Sequence, residues 1–282
     1  MPVYESQSTP VPPGGNKPFD PRHSMRMFLA LDAWARLILW AGAGVLTVLL
    51  FNRFDLWPHE PPLRTGWRAA YHWGWCAIGL AFAYNTIYVL LLILLRLPIP
   101  RPREGTYPLG AHAKPGRDLV AACFIAVLTK ARYEPPFPGF LVHHMASLPP
   151  QSWLMARIFG PSSRSLGVTD ARILDPAMVT IGRNVVIGLG AIISGHWQER
   201  DSVTIRRTII EDDVLIGGCA VIFGGVRIGR GAMIGASAVV LPNTVVGENE
   251  FWAGIPARKL RDLPRVDSLV PPASRPAGTP AA

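Results

Sequence analysis

From Ile210 to Trp252 the hydrophobic pattern repeats every six residues. A bulky aliphatic opens each unit at Ile210, Ile216, Ile222, Ile228, Ile234, Val240 and Val246. The fifth places hold Val214, Ala220, Val226, Ala232, Ala238, Thr244 and Glu250, of which only the last is large. Upstream, IGRNVV and IGLGAI repeat the pattern from Ile181 and Ile187. Six matches neither the helical period of 3.6 nor the strand period of 2. A fixed short period means that no unit buries its own apolar face, so each must stack on its neighbours. A strand of about five residues and a corner use roughly six, and three such faces close a triangular coil. The opening aliphatic then points into the prism, the small fifth-place side chain fits where space is tight, and the frequent second-place glycine suits a corner with unusual backbone angles. An ordinary β-sandwich rich in glycine turns is not expected to keep seven units in frame.

The pattern ahead of the repeats is different in kind. AAYHWGWCAIGLAFAYNTIYVLLLILL, Ala69 to Leu95, contains no Asp, Glu, Lys or Arg, and it exceeds the roughly 20 apolar residues a bilayer requires. Leu37 to Phe51 is also free of charge and extends backward over Met27 to Arg36, with Asp32 and Arg36 inside. The apolar core begins too late, and lacks the small-residue cleavage site, for a secretory leader. Two spans forming a hairpin are expected over residues 23–100. DLVAACFIAVLTKARY, Asp118 to Tyr133, opens on a helix-capping residue and is apolar for about three turns, too short to span. It reads as an interfacial helix under the prism or as a core helix, within a connector over 101–168. The Pro/Gly/Ser-rich start (1–22) and the end after Leu263 (264–282) lack periodicity and read as disordered.

Charge refines this picture. The formal net charge is +9, but no aromatic-interleaved basic stripe occurs, so nucleic acid is not an expected partner. Arg96, Arg101, Arg103, Lys114 and Arg117 follow the second apolar segment, and Lys17, Arg22 and Arg26 precede the first. The link from Asn52 to Arg68 carries only Arg53, Arg64 and Arg68. The bias favours both ends of the hairpin in the cytoplasm, as expected in a bacterial-type inner membrane, with the basic excess facing anionic headgroups. Three scattered cysteines, Cys76, Cys123 and Cys219, form no metal or disulfide pattern, which fits a reducing compartment.

The repeats resemble the left-handed parallel β-helix of hexapeptide-repeat acyltransferases, with its [Ile/Val]-Gly-x-x-small-x signature. The resemblance covers Thr169 to Leu263 and implies a mainly β fold preceded by the transmembrane hairpin. Two further features carry it. The frame breaks once, since Ile193 and Ile210 are 17 apart, and the break, SGHWQERDSVTIRRT, holds His196. The repeat region closes on GIPARKL, Gly254 to Leu260, which is similar to that family's ending. A looser resemblance links the apolar spans, FPGF…PPQSWLMARIFGPSSRSLG and the following hexads to the membrane-bound C-terminal region of polylysine-type peptide synthetases.

The resemblance implies a transfer from acetyl-CoA or another acyl-CoA, with no metal. A thioester is already activated, so the acceptor needs only to lose a proton as it attacks, and a neutral imidazole near its pKa suits that task. His196 is the expected general base. By resemblance, the backbone N–H of Gly218 faces the oxyanion, that of Ala236 holds the pantetheine arm, and Arg258 and Lys259 meet cofactor phosphates, with a solvated basic end as the alternative reading of the last two. By resemblance, Asp175 matches an acid that binds the acceptor, and its alternative reading is a corner residue of the coil. Glu199, Arg200 and Asp201 follow the base closely, and nothing in the sequence selects among them as its orienting partner. Leu215 stands where many relatives have Trp, which argues against a sugar site like theirs. The resemblance also implies a homotrimer with the cofactor between prisms, and the spans imply membrane lipids and a lipid-linked acceptor as partners. A non-catalytic trimeric scaffold, or an appendage of a peptide-assembly system, is the alternative. Zinc chemistry of the carbonic-anhydrase type is not expected, because His143 and His144 precede the prism and only His196 lies in it.

Overall fold

A computed structural model describes residues 21–59, 66–109, 116–133, 151–161 and 171–264. The segments read as disordered fall almost wholly outside these, as do His143 and His144. Helices α1 (Pro21–Arg53) and α2 (Trp67–Arg96) pack side by side. Their stretches Phe28–Arg53 and Trp67–Arg96 have mean hydropathies of 1.8 and 2.2, long and apolar enough to cross a bilayer. Their outward faces expose Trp34, Ile38, Leu49, Ile78, Phe82 and Leu94.

Helices α3 (Arg117–Tyr133) and α4 (Gln151–Phe159) pack on the hairpin. Leu39 and Ala43 of α1, Leu92 and Ile93 of α2, Leu128 and Ala131 of α3, and Met155 and Phe159 of α4 share one core. The Tyr88 hydroxyl donates to the Ala131 carbonyl at 2.9 Å. Asp32, the acid inside the first apolar segment, is ion-paired with Arg36 at 3.1 Å and with Lys130 of α3 at 2.9 Å. Of the two readings of α3, its Leu128–Ala131 end is therefore a core helix, while Val120 and Phe124 stay exposed. Asp118 does not act as expected at its helix start. Its carboxylate accepts the Arg103 N–H at 3.2 Å and pins the connector instead.

The remainder is a three-faced parallel β-helix. One face stacks β2 (Arg172–Ile173), β5 (Ile192–Ile193), β10 (Val221–Ile222) and β13 (Val239–Val240). The second stacks β3 (Val179–Ile181), β8 (Thr208–Ile210), β11 (Arg227–Ile228) and β14 (Val245–Val246). The third stacks β4 (Val186–Ile187), β9 (Leu215–Ile216), β12 (Met233–Ile234) and β15 (Glu250–Gly254). Ile222 pairs with Val240, 18 residues on, so a regular coil is three hexads. The opening aliphatics from Ile187 to Val246 are buried, as are the fifth-place residues from Val214 to Ala238. Strand β16 (Ala257–Asp262) runs back antiparallel along β15, so GIPARKL forms a hairpin that covers the last parallel edge.

The corner chemistry corrects one expectation. The left-handed backbone belongs to the fourth place, at Asn184, Asp213, Cys219, Ser237, Asn243 and Asn249, with φ between 53° and 62°. Second-place glycines are needed for a different reason. A Cβ on Gly229 would lie 2.8 Å from the Glu248 nitrogen of the next coil, and one on Gly217 would strike the Ala236 backbone. These glycines admit the neighbouring coil rather than turn the chain.

Candidate functional site

The break in the frame is an antiparallel hairpin of β6 (His196–Gln198) and β7 (Ser202–Ile205) at the corner between the first and second faces. Ile193 pairs with Ile222, 29 residues on, where a regular coil needs 18, so the excursion adds 11. The hairpin is held from outside. Strand β1 (Gly105–Pro108), nine residues after α2 ends, pairs antiparallel with β7 from Gly105↔Ile205 to Pro108↔Ser202. The Thr106 and Thr204 hydroxyls are 3.0 Å apart across this pair. No periodicity or turn signal marks this third strand, which ties the excursion to the chain leaving the apolar hairpin.

At the root of the excursion, His196 Nδ1 lies 2.5 Å from Asp175 Oδ2. The same oxygen accepts the Gly195 N–H at 2.9 Å and is 3.0 Å from the Ser194 hydroxyl. Ser194 Oγ also accepts the His196 N–H at 3.1 Å and reaches the His196 carbonyl at 2.8 Å. Below it, Thr208 donates to the Ser194 carbonyl at 2.7 Å. Asp175 sits here because Ile173 and Ile193 are paired, so the residue two places after each shares a corner. The acid in contact with His196 is thus Asp175, and not one of the residues that follow the histidine. Glu199 and Asp201 are exposed, and Glu199 accepts from Trp197 Nε1 at 3.3 Å instead.

The electrostatics follow from this geometry. Burial alone would raise the Asp175 pKa, but the His196 hydrogen bond and charge, with the Gly195 and Ser194 donors, hold it below the usual carboxylate value. Burial likewise disfavours a charged His196, yet the bond to Asp175 and its charge hold the imidazole above its ordinary value. The His196 side chain is 38% exposed and that of Asp175 17%. With Nδ1 turned to the carboxylate, Nε2 makes no hydrogen bond among the described residues. The arrangement can take a proton at Nε2 and steady the resulting imidazolium.

Gly218 and Ala236 stack on successive coils at another corner, between the third and first faces. Their backbone N–H groups make no hydrogen bond among the described residues, while the Gly218 carbonyl accepts the Ser237 N–H at 2.8 Å. The expected donors therefore lie together, but one chain does not bring them to His196. Arg258 is exposed on β16, with Nη1 donating to the Ala257 carbonyl at 3.1 Å. Lys259 is held at 2.7 Å by both Glu250 and Asp262, which raise its pKa. Its charge is matched within the chain, which weakens the expectation that it meets cofactor phosphates. Among the described residues no cluster of three or more His, Cys, Asp and Glu side chains is placed to hold a metal. Ser194 and Thr208 escaped the sequence reading, since one sits between a strand and a glycine and the other opens a strand.

Comparison with known proteins agrees with this architecture. Residues 207–242 match the family described as the hexapeptide repeat of succinyl-transferase. Over 87 residues the chain is 40% identical to a 2,3,4,5-tetrahydropyridine-2,6-dicarboxylate N-acetyltransferase of Staphylococcus aureus, covering 31% of this chain and 34% of that protein. The chain thus spans about a third of the length of the curated relatives it matches. A hexapeptide-repeat acetyltransferase of Vibrio cholerae aligns with 51% of this chain and 92% of its own at 20% identity and a TM-score of 0.35. A galactoside acetyltransferase in complex with coenzyme A aligns with 51% and 82% at 17% identity and a TM-score of 0.37. The class defined here is a left-handed parallel β-helix built from hexapeptide repeats. The repeat-bearing segment is similar in sequence to hexapeptide-repeat acetyltransferases over these stretches.

Proposed function

We propose that the chain is a membrane-anchored acyltransferase. It moves an acetyl or other acyl group from a CoA thioester to a hydroxyl or amine of a lipid-linked acceptor at the cytoplasmic face. The observation that carries the reading is the Asp175–His196 contact of 2.5 Å at the single break in the repeat. His196 Nε2 takes the acceptor proton as the oxygen or nitrogen attacks the thioester carbonyl. The tetrahedral oxyanion then collapses, the C–S bond breaks, and the imidazolium returns the proton to the departing thiolate. Asp175 holds Nδ1–H and stabilises the transient imidazolium, so we assign it a positioning role ahead of the acceptor-binding role that the resemblance implied.

The oxyanion donor at Gly218 and the pantetheine donor at Ala236 belong to a different corner, so the site is completed by a second prism in a cyclic homotrimer. Arg258, exposed on the capping strand, is the better placed of the two basic residues for cofactor phosphates. The exposed apolar flanks of α1 and α2 support insertion in a membrane. An anchor is a gain when the acceptor is confined to the same bilayer, because confinement raises its effective concentration. The experiment is to incubate the purified full chain with labelled acetyl-CoA and a total membrane-lipid extract. Label in the lipid fraction, lost in His196→Ala, is expected. Label only in added soluble sugars or amines refutes the acceptor, and full activity of His196→Ala refutes the base.

A further inference from the structure

Where α2 ends, three arginines from three parts of the chain meet. Arg96 closes α2, Arg101 lies in the turn toward β1, and Arg157 comes from the last turn of α4. Together they line a cleft of about 480 Å³. Its walls include Leu97, Ile99 and Trp153, and among the described residues no acidic side chain lines it. Leu97 and Trp153 are exposed, and the Arg157 guanidinium lies 5.4 Å from the centre of the Trp153 ring.

Arg96 is the telling member. It is only 4% exposed, and Nη1 donates to the Ile99 carbonyl, yet Nε is buried with no hydrogen-bond partner among the described residues. A buried guanidinium is normally paired with a carboxylate, because desolvating an unpaired charge is costly. The other charged side chains that line this cleft, among the described residues, are two further guanidiniums, those of Arg101 and Arg157. A guanidinium fork fits a phosphate. The exposed Leu97 and Trp153 beside it fit the boundary between headgroups and acyl chains, where tryptophan is favoured.

We propose that this cleft is a binding site for the phosphate of an anionic membrane lipid, held by Arg96, Arg101 and Arg157. It deepens the function proposed above and rests on α1 and α2 lying in a bilayer. The position also suits delivery to the catalytic corner. Arg101 borders a second cleft, of about 380 Å³, whose other walls include Arg207 and Pro176. Pro176 directly follows Asp175. The basic lining thus continues from Arg96 and Arg157 through Arg101 to Arg207, in a cleft that the residue after Asp175 also lines.

The test uses the full chain in detergent and native mass spectrometry. Short-chain phosphatidic acid is compared with the diacylglycerol of the same chains, and inorganic phosphate is offered as a competitor. One phosphatidic acid per chain is expected to survive desolvation of the complex, with no retained diacylglycerol. Arg101→Gln with Arg157→Gln should weaken retention about tenfold or more, whereas Arg53→Gln with Arg68→Gln, at the far end of the hairpin, should leave it unchanged. Arg96 is left intact in both, so the buried residue is not put at risk. Equal retention of diacylglycerol, or equal loss in the two double variants, overturns the site. Displacement by inorganic phosphate at the same concentration as the lipid overturns the lipid as its source. His196→Ala should bind phosphatidic acid like the parent, whereas retention in the parent without any transfer to lipid would sink the proposed acceptor and leave the cleft standing. Transfer to lipid without retention would do the reverse.

Discussion

Replacing Asp175 with Asn separates orientation from burial at the proposed site. The substitution keeps shape and volume but removes the charge that faces His196 Nδ1 at 2.5 Å and that accepts Gly195 N–H and Ser194 Oγ. A hydrogen bond to a charged group is worth about 1.5–3 kcal/mol. If that support acts fully on the imidazolium of the transition state, its loss slows turnover by about 10- to 160-fold at 1.36 kcal/mol per decade. His196 is 38% exposed, so solvent screens part of the charge and the lower half, about ten- to fiftyfold, is expected. The pH dependence carries the clearer signature. The base must be neutral to work, and Asp175 holds its pKa above the ordinary imidazole value, so the rate should rise with pH through a midpoint shifted up from that of a free imidazole. In Asp175→Asn that midpoint should fall. The sign for stability is opposite. A His pKa raised by folding contributes stability below its unfolded value, and the contribution disappears as pH rises through the folded value. Activity thus grows where the pair's contribution to stability fades. The assay is acetyl transfer to membrane-lipid extract over a pH series, with assembly state checked in parallel. An Asp175→Asn enzyme with wild-type rate and an unmoved midpoint would refute the positioning role, and a large loss in Glu199→Gln or Asp201→Asn would redirect it.

Three further outcomes are expected. His196→Ala should lower turnover by about 10²–10⁴-fold while acetyl-CoA binding, followed by calorimetry, is retained. Gly217→Val drives a side chain into the Ala236 backbone, so it should cost about 1–3 kcal/mol or more in denaturant unfolding. Thr106→Pro removes a donor and the hydroxyl facing Thr204, so it should loosen the β6–β7 hairpin, seen as faster amide exchange there with the coils from Ile210 onward unchanged.

The β-helix was legible because six is a distinctive period and the opening aliphatics all carry one task. The glycine in second place was misread because absence of a Cβ serves both a left-handed turn and a close approach. The frame does not distinguish them until the next coil is in place. Asp175 and His196 are both legible as site residues, but their contact is not, since the two are 21 apart and share a corner only through a coil longer than 18 residues. The β1–β7 pairing joins residues 98 apart through the four-residue stretch GTYP, which is too short to announce a strand. The arginine cleft has the same origin, since Arg96, Arg101 and Arg157 share no sequence pattern and meet only because α4 packs on the end of α2.

The separation of His196 from Gly218 gives the proposed trimer a test that does not depend on sedimentation. The base belongs to the corner between the first and second faces, and Gly218 and Ala236 to the corner between the third and first. If each site takes its base from one prism and its amides from the next, two inactive variants can repair each other. His196→Ala spoils one half. Ala236→Trp spoils the other by filling the groove where the cofactor arm would lie, at an exposed position that tolerates bulk in the lone prism. Each variant alone should be nearly inactive. Co-expressed in equal amounts and assorted at random, they place an intact base beside an intact corner in about a quarter of the sites of a cyclic trimer. Mixed preparations should therefore recover about a quarter of the parental rate, whereas the two proteins purified apart and then combined should recover none until the subunits exchange. A site built within a single chain predicts no recovery in either case, because every chain would carry one broken half. Failure of the co-expressed pair, with mixed trimers demonstrated by differential tags, would refute the shared site.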